Sequence, residues 1–471
     1  LNLNLFESLG LLRKLPKNLN LPPHLGLPLE LIPEDARAAG LGALMKGAGM
    51  VTRWLPIPQP TLLVGPGSSA RLGQAVAGFG HHKVLIVTDA MIVKLGLLKG
   101  LTDALDTGGT PYAVFDEITP DAPIPLIERG IAKFQDERCD ALVAVGGGSS
   151  MDAAKAIAVA SANPSKSLRS LAGYFRGLRN PPPVYAVPTT AGTGSEVTVA
   201  AVIADPERHS KLVIVDTRLV PKMAALDPAL MTGLPPPITA ATGMDALTHA
   251  VESFIGNWAT PATDGLALSA VSLIFDNLRT AYRNGANLEA REKMSLASTY
   301  AGMAFTRANV GYVHAIAHQF GGRYHTPHGL ANAIVLPQVL RFSAPAVTDR
   351  LAALAVRARL GDESENEQVL ADRFLDAVDG LNRDLGIPTF LAALREADIP
   401  KLAEAALHEA HTGYPVPRYM TRAECEALIR RLLPPKDAAA APPAGKAAAK
   451  SKKKTAAPSR RPRTRTNTQA A

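Results

Sequence analysis

One stretch limits the possible folds more than any other. Residues 141–145 are an unbroken apolar run, Ala-Leu-Val-Ala-Val, that leads straight into Gly146-Gly147-Gly148-Ser149 and then into an Ala-rich segment. An apolar run of that length reads as a strand buried on both faces, as parallel sheets require. Glycines at its end allow a sharp turn and a close approach of backbone amides to a phosphate. The helix that follows would offer its positive end to the same point. Residues 61–64, 83–89, 112–116, 184–187 and 211–216 read as further strands, and 124–135 as a helix. Strands alternating with helices imply a doubly wound α/β sheet. Gly-Gly-Gly-Ser is neither a Walker A sequence nor Gly-x-Gly-x-x-Gly, so its place after a buried strand carries the nucleotide reading. A second loop, 188–198, is dense in hydroxyls and glycines. It suits contacts to ribose, phosphate or adenine, or else a polar turn capped by Thr193 or Ser195.

After Ile238 the strand pattern stops, and Ala/Leu-rich helical stretches run to about residue 433. The boundary is expected near 235, at Pro235-Pro236-Pro237. This half holds two pairs of metal-type side chains at a spacing of four: Asp245 with His249, and His314 with His318. A spacing of four puts both members of a pair on one helix face. Gly321-Gly322 and Pro327 are expected to end the second helix and bring His328 back towards it. One carboxylate and several imidazoles can together hold a divalent transition metal. A single His-x3-His is common in helix cores, so the two pairs jointly carry this reading. Neither helix offers the His-Glu-x-x-His of zinc proteases.

These segments resemble the iron-containing, or group III, alcohol dehydrogenases over roughly residues 58–433. The resemblance rests on Val87-Thr88-Asp89, 146–155, 188–198, 243–249 and 311–332, with a similar closing segment at 411–418. It implies an N-terminal Rossmann-like dinucleotide-binding domain (58–235) followed by an all-helical metal-binding domain (236–433). It implies Asp245, His249, His314 and His328 as metal ligands. His318 would be the catalytic histidine beside metal and nicotinamide. Gly147, Gly148 and Ser149 would hold the pyrophosphate, and Thr189, Thr190, Thr198 and Lys211 would lie near the nucleotide. Asp89 would take the ribose 2′-hydroxyl, which favours NAD over NADP. Fe2+ is the expected ion, and the same ligands would accept Zn2+. The implied reaction is hydride transfer between a primary alcohol and NAD, with the substrate oxygen on the metal. Metal affinity is expected to fall as pH drops through the histidine range. His325 has no ligand counterpart. One departure stands out: where the family commonly has Pro-Asn-Pro, its Asn approaching the cofactor, this chain has Pro120-Asp121-Ala122.

Composition excludes some classes. The net charge of +8 belongs to residues 434–471, which carry ten Lys and Arg against one Asp, so the body is near neutral. Nucleic acid is therefore not the expected main partner of the body, although the tail suits weak contacts with nucleic acid or anionic surfaces. That tail is expected to be disordered. Residues 1–57, Leu- and Pro-rich, are expected to form a packing arm with an amphipathic helix near 5–12. They lack the order of a signal peptide. The chain opens on Leu1 rather than Met, so its translated start is expected to differ. Two cysteines, Cys139 and Cys425, suit a reducing cytoplasm, and no apolar run reaches a membrane span. A homo-oligomer, a dimer or larger, is expected. Other readings stay open: a hydroxyacid–oxoacid transhydrogenase of the same superfamily, and a tail-tethered nucleic-acid-associated protein. A dehydroquinate-synthase-like lyase would need a basic pocket, and maleylacetate reductases lack this ligand set.

Overall fold

Six short strands line up in one parallel sheet: β1 (Thr61–Val64), β2 (Val84–Val87), β3 (Tyr112–Phe115), β4 (Ala141–Gly146), β6 (Val184–Pro188) and β9 (Met223–Leu226), in the spatial order β1-β9-β6-β4-β2-β3. These positions come from a computed structural model, which describes residues 55–435 apart from His209. The arm helix expected near 5–12 and the tail from 436 onward lie outside the described residues. Helices α1 (Ser68–Gly78), α2 (Ala90–Lys94), α3 (Lys99–Thr107), α4 (Ile124–Asp136), α5 (Gly148–Ala162) and α6 (Leu168–Leu171) fall between the strands. The two-faced burial read from the sequence is real. In β4, Leu142 and Ala144 join one cluster with Phe115, Ile127 and Ile157, while Val143 and Val145 join the opposite one with Leu72, Ile86 and Leu105. Among the alanines of α5, Ala153, Ala154, Ala156 and Ala158 are wholly buried, so the helix seats closely against the sheet.

Two parts of this half differ from the sequence reading. The strand expected at 211–216 is β8 (Ser210–Val215), and it does not join the main sheet. It pairs antiparallel with β7 (Ala200–Asp205) and parallel with the two-residue β5 (Gly173–Tyr174). The burial of β7 alternates along its length, as in a strand with one covered face, and the parallel-strand template misses it. Strand β9, Met-Ala-Ala-Leu, has little intrinsic strand preference. Parallel partners on both sides, β1 and β6, make it one.

From Pro236 every element is helical: α7 (Pro236–Ile255), α8 (Pro261–Arg283), α9 (Leu288–Ala308), α10 (Tyr312–Tyr324), α11 (His328–Ser343), α12 (Thr348–Arg357), α13 (Glu367–Asp384), α14 (Ile399–Gly413) and α15 (Arg422–Arg430), with short 3-10 turns. Their apolar faces share one core. Helix α10 runs through Gly321-Gly322 rather than stopping there. The cost of two helical glycines, about 1 kcal/mol each, is offset by tertiary packing, with Phe320 fully buried. The helix ends at His325, whose backbone is left-handed (φ 55°) and whose N–H donates to the Gly321 carbonyl. Pro327 then caps α11, and His328 is its first residue. Among the described residues no helix is long and apolar enough to cross a membrane.

Candidate active site

The order of the main sheet reverses between β2 and β4, and open α/β sheets bind ligands outside the carboxyl ends of strands at such a point. Asp89 lies just past β2. Its Oδ1 accepts from the N–H groups of Met91 and Ile92 and caps α2, and neither of those bonds uses Oδ2. Gly146, at the end of β4, has φ +152°, and a Cβ there would come within 2.4 Å of Ser150 Oγ. A Cβ on Gly148 would come within 2.7 Å of Thr193. Glycine at 146 serves the turn's own backbone, and glycine at 148 lets the 188–198 loop come close. Gly147 caps α5, and the helix begins at Gly148 and Ser149, so its unbonded N–H groups face this crevice end. Thr189 is buried, its N–H on the Gly146 carbonyl, and Thr190 lies beside Gly147.

Behind the loop sits Lys155, fully buried. Its Nζ donates to Ser195 O (2.7 Å), Ser195 Oγ (3.0 Å), Thr198 O (3.0 Å), Thr198 Oγ1 (2.9 Å) and Ala200 O (2.9 Å). Asp152 accepts from Ser195 Oγ and from the Val202 N–H; Glu196 accepts from Thr299 Oγ1 on α9. Burial pushes the ammonium down to about 8, against the pull of Asp152 and Glu196, and the five surrounding oxygens suit its charged form. Thr198 therefore spends its hydroxyl on Lys155, inside the loop. Lys211, on β8, pairs with Asp121 at 2.8 Å.

Across the crevice, α7, α10 and α11 bring the metal-type side chains together. Ligand atoms of Asp245, His249 and His314 all lie within 4.8 Å of one another, and all three residues are buried. His328 Nε2 is 3.5 Å from Asp245 Oδ1. The rings of His249 and His314 stack at 4.5 Å, and those of His318 and His328 at 5.2 Å. One amide group stands among these atoms. Asn332 Nδ2 is 2.6 Å from Asp245 Oδ1, 3.3 Å from His314 Nε2 and 3.2 Å from His328 Nε2, while its buried Oδ1 has no partner. Three acceptors converging on one hydrogen-bond donor is a set of lone pairs aimed at a common point. Carboxylate plus imidazoles is also the chemistry that Fe2+ or Zn2+ takes, so the residues fit a divalent ion.

The tautomers are fixed from behind. His314 Nδ1 donates to Glu252 Oε2 at 2.6 Å, and His249 Nδ1 to the Gly192 carbonyl at 3.3 Å, which leaves both Nε2 atoms as acceptors. Glu252 also accepts from the N–H groups of Gly311 and Val313; burial pushes its carboxyl up to about 7 against those three donors. His318 Nδ1 is bonded to Glu409 Oε1 at 2.6 Å. Burial would raise Glu409, but His318, Tyr414 and Gln319 outweigh it and hold the carboxyl below its ordinary value. Glu252, Asn332, Glu409 and Lys155 had no role in the sequence reading. Helix spacing does point to two of them: Glu252 is three residues from His249, and Asn332 four from His328. Glu409 comes from a distant helix and leaves no such signal. Replacing Glu252 with Gln removes one acceptor from this arrangement. Metal affinity is expected to fall by about tenfold to a hundredfold, read by competition with a chelator.

Burial holds the rings of His249, His314 and His328 below the ordinary 6.5, His328 at about 3. Protons therefore bind these nitrogens less readily than they bind a free imidazole. The unfolded chain takes up protons at these rings from about 6.5 downward and the folded one does not, so their share of the metal-free protein's stability is lost as pH falls from 6.5 towards 3, while the raised carboxyl of Glu252 acts in the opposite direction between pH 7 and 4.5. The stability difference between the wild type and His328→Asn, read from denaturant midpoints, should therefore shrink from pH 7 to pH 5.

Comparison with known proteins gives the same picture. The model for "Iron-containing alcohol dehydrogenase" matches residues 59–228, and that for "Fe-containing alcohol dehydrogenase family, C-terminal" matches 239–433. The chain is 39% identical over 356 residues to a lactaldehyde reductase of Escherichia coli strain K12, covering 75% of this chain and 93% of that one. It is 37% identical over 376 residues to an NAD-dependent methanol dehydrogenase of Bacillus methanolicus, covering 79% and 98%. A crystal structure of a 1,3-propanediol oxidoreductase superposes with a TM-score of 0.77 at 39% identity, covering 80% of this chain and all of the other.

Proposed function

The chain belongs to the iron-containing alcohol dehydrogenase family, and on that basis we propose that it interconverts primary alcohols and aldehydes with NAD and a divalent iron. The observation that carries the site assignment is the convergence of buried Asp245, His249 and His314 with half-buried His328, across the crevice from the glycine turn. We assign those four residues as the ligands. An ion held there supplies a Lewis acid that makes an alcohol hydroxyl more acidic, and NAD supplies the hydride acceptor.

The protein's own groups do the rest. Glu252 and Gly192 hold the His314 and His249 rings so that each Nε2 keeps its lone pair for the ion. His318, its Nδ1 on Glu409, takes the alcohol proton at Nε2 on oxidation and returns it on reduction; the carboxylate stabilises the imidazolium between the two. Gly147, Gly148 and Ser149 bind the pyrophosphate at the start of α5. Thr189 and Thr190 line the adjoining loop, and Lys155 and Thr198 keep it in shape. The uncapped oxygen of Asp89 accepts from the ribose 2′-hydroxyl and repels a 2′-phosphate, which favours NAD over NADP. We divide the body near 235, where the last strand is behind and every later element is helical. Two buried, unpaired cysteines are consistent with a reducing cytoplasm, and exposed Phe79, Leu95 and Leu178 with an oligomer.

The test is NADH formation by the iron-loaded protein across primary alcohols and diols, with NADP and an EDTA-treated sample alongside. Metal-dependent NADH formation is expected, and its rank order names the substrate class. A chain that binds metal and NAD yet oxidises no alcohol would overturn this reading. Turnover of a hydroxy acid with an oxo acid and no added NAD would replace it with the transhydrogenase.

A further inference from the structure

The loop after β3 departs from its family's pattern at Asp121 and Ala122, and the structure shows where Asp121 goes. Its backbone N–H donates to Ser149 Oγ (3.1 Å) in the first turn of α5, and its carbonyl accepts from Ala204 on β7. Residues 121 and 122 both have left-handed φ, 66° and 44°. That turn presents the Asp121 carboxylate to Lys211 Nζ at 2.8 Å. The ammonium in turn lies by α10: a Cβ on Gly321, one turn beyond His318, would be 3.9 Å from Nζ. The ion pair thus bridges the glycine turn, through Ser149, to the imidazole cluster. A dinucleotide with its pyrophosphate on the turn and its reactive ring at the imidazoles must pass it.

We propose that Asp121 is a specificity-determining residue that sets the balance between oxidised and reduced dinucleotide by neutralising Lys211 beside the nicotinamide. This inference rests on the proposed function. The oxidised ring carries a positive charge and the reduced ring none. A neutral pair treats the two alike, whereas a bare ammonium at that place disfavours the oxidised form and a bare carboxylate favours it. The pair is partly exposed, with side-chain accessibilities of 46% and 19%, so the effect is moderate and screened by salt. Asp121→Gln is too long for the turn, but Asp121→Asn keeps the shape and can still accept from Lys211.

The experiment measures dissociation constants of NAD+ and NADH for the metal-loaded full chain at low ionic strength. D121N is expected to raise the ratio of the NAD+ constant to the NADH constant by about fivefold, the order given by one unit charge several ångströms away at an interface with water. K211M is expected to lower that ratio, and the double variant to return it towards the wild-type value. If D121N folds poorly, the direction of change in K211M decides alone. A latch that merely holds the loop would weaken both forms equally, so an unmoved ratio, or one moved the same way by both variants, overturns the proposal. A wild type that binds neither form is a separate result: it overturns the proposed function, and this inference with it.

Discussion

His314→Ala is expected to purify without stoichiometric metal and to oxidise alcohols about a thousandfold more slowly. The ring is 3% exposed and sits between those of His249 (4.5 Å) and His328 (5.4 Å), its Nδ1 on Glu252. Its removal leaves a carboxylate and two imidazoles to hold the ion, and it leaves Glu252 with two of its three donors. Losing about 4 kcal/mol of Lewis-acid stabilisation corresponds to the thousandfold. Glu252 still accepts from Gly311 and Val313, so the start of α10 should keep its place and the far-ultraviolet spectrum should not change. Elemental analysis and NADH formation read the result. His325→Asn is the control, because His325 is exposed at a left-handed helix end that Asn tolerates; it should keep metal and rate. An active, metal-free His314→Ala would refute the ligand assignment.

Lys155→Met is expected to cost about 3–5 kcal/mol of stability and to abolish dinucleotide binding in whatever remains folded. Breaking a buried charge arrangement by removing one sign costs on that order. The carbonyls of Ser195, Thr198 and Ala200 lose their shared donor, and Asp152 and Glu196 lose the cation that acts on both. Met fills a similar volume, so the loss is of charge and hydrogen bonds rather than packing. Urea unfolding measures the first effect and NADH fluorescence titration the second. An unfolding midpoint equal to that of the wild type would show that the cluster does not hold the loop.

How much of this was legible in the sequence depended on whether the signal was local. The apolar run at 141–145 and the glycines after it carry their own meaning, because a strand buried on both faces needs nothing but apolar residues and a sharp turn needs glycine. Asp245 with His249, and His314 with His318, share a face by helix geometry alone. The α10 stop was misplaced for the opposite reason. Gly321-Gly322 weaken a helix locally, but burial of Phe320 outweighs them, and burial is not a local property. Strand β9 is likewise made by its partners rather than its residues, while β7 hides in a one-face alternation that a buried parallel strand does not show.

The class of fold, the glycine turn and the two pairs of candidate ligands are each written within a few residues and follow from helix or strand periodicity. Tertiary structure alone decided what stands behind them. It put Glu409, ninety-one residues away, on His318 and closed Glu252 onto His314. It buried Lys155 among five oxygens and set Asp121 against Lys211. Such contacts depend on which distant elements pack together, and packing is fixed by the burial of whole faces rather than by the order of neighbouring residues.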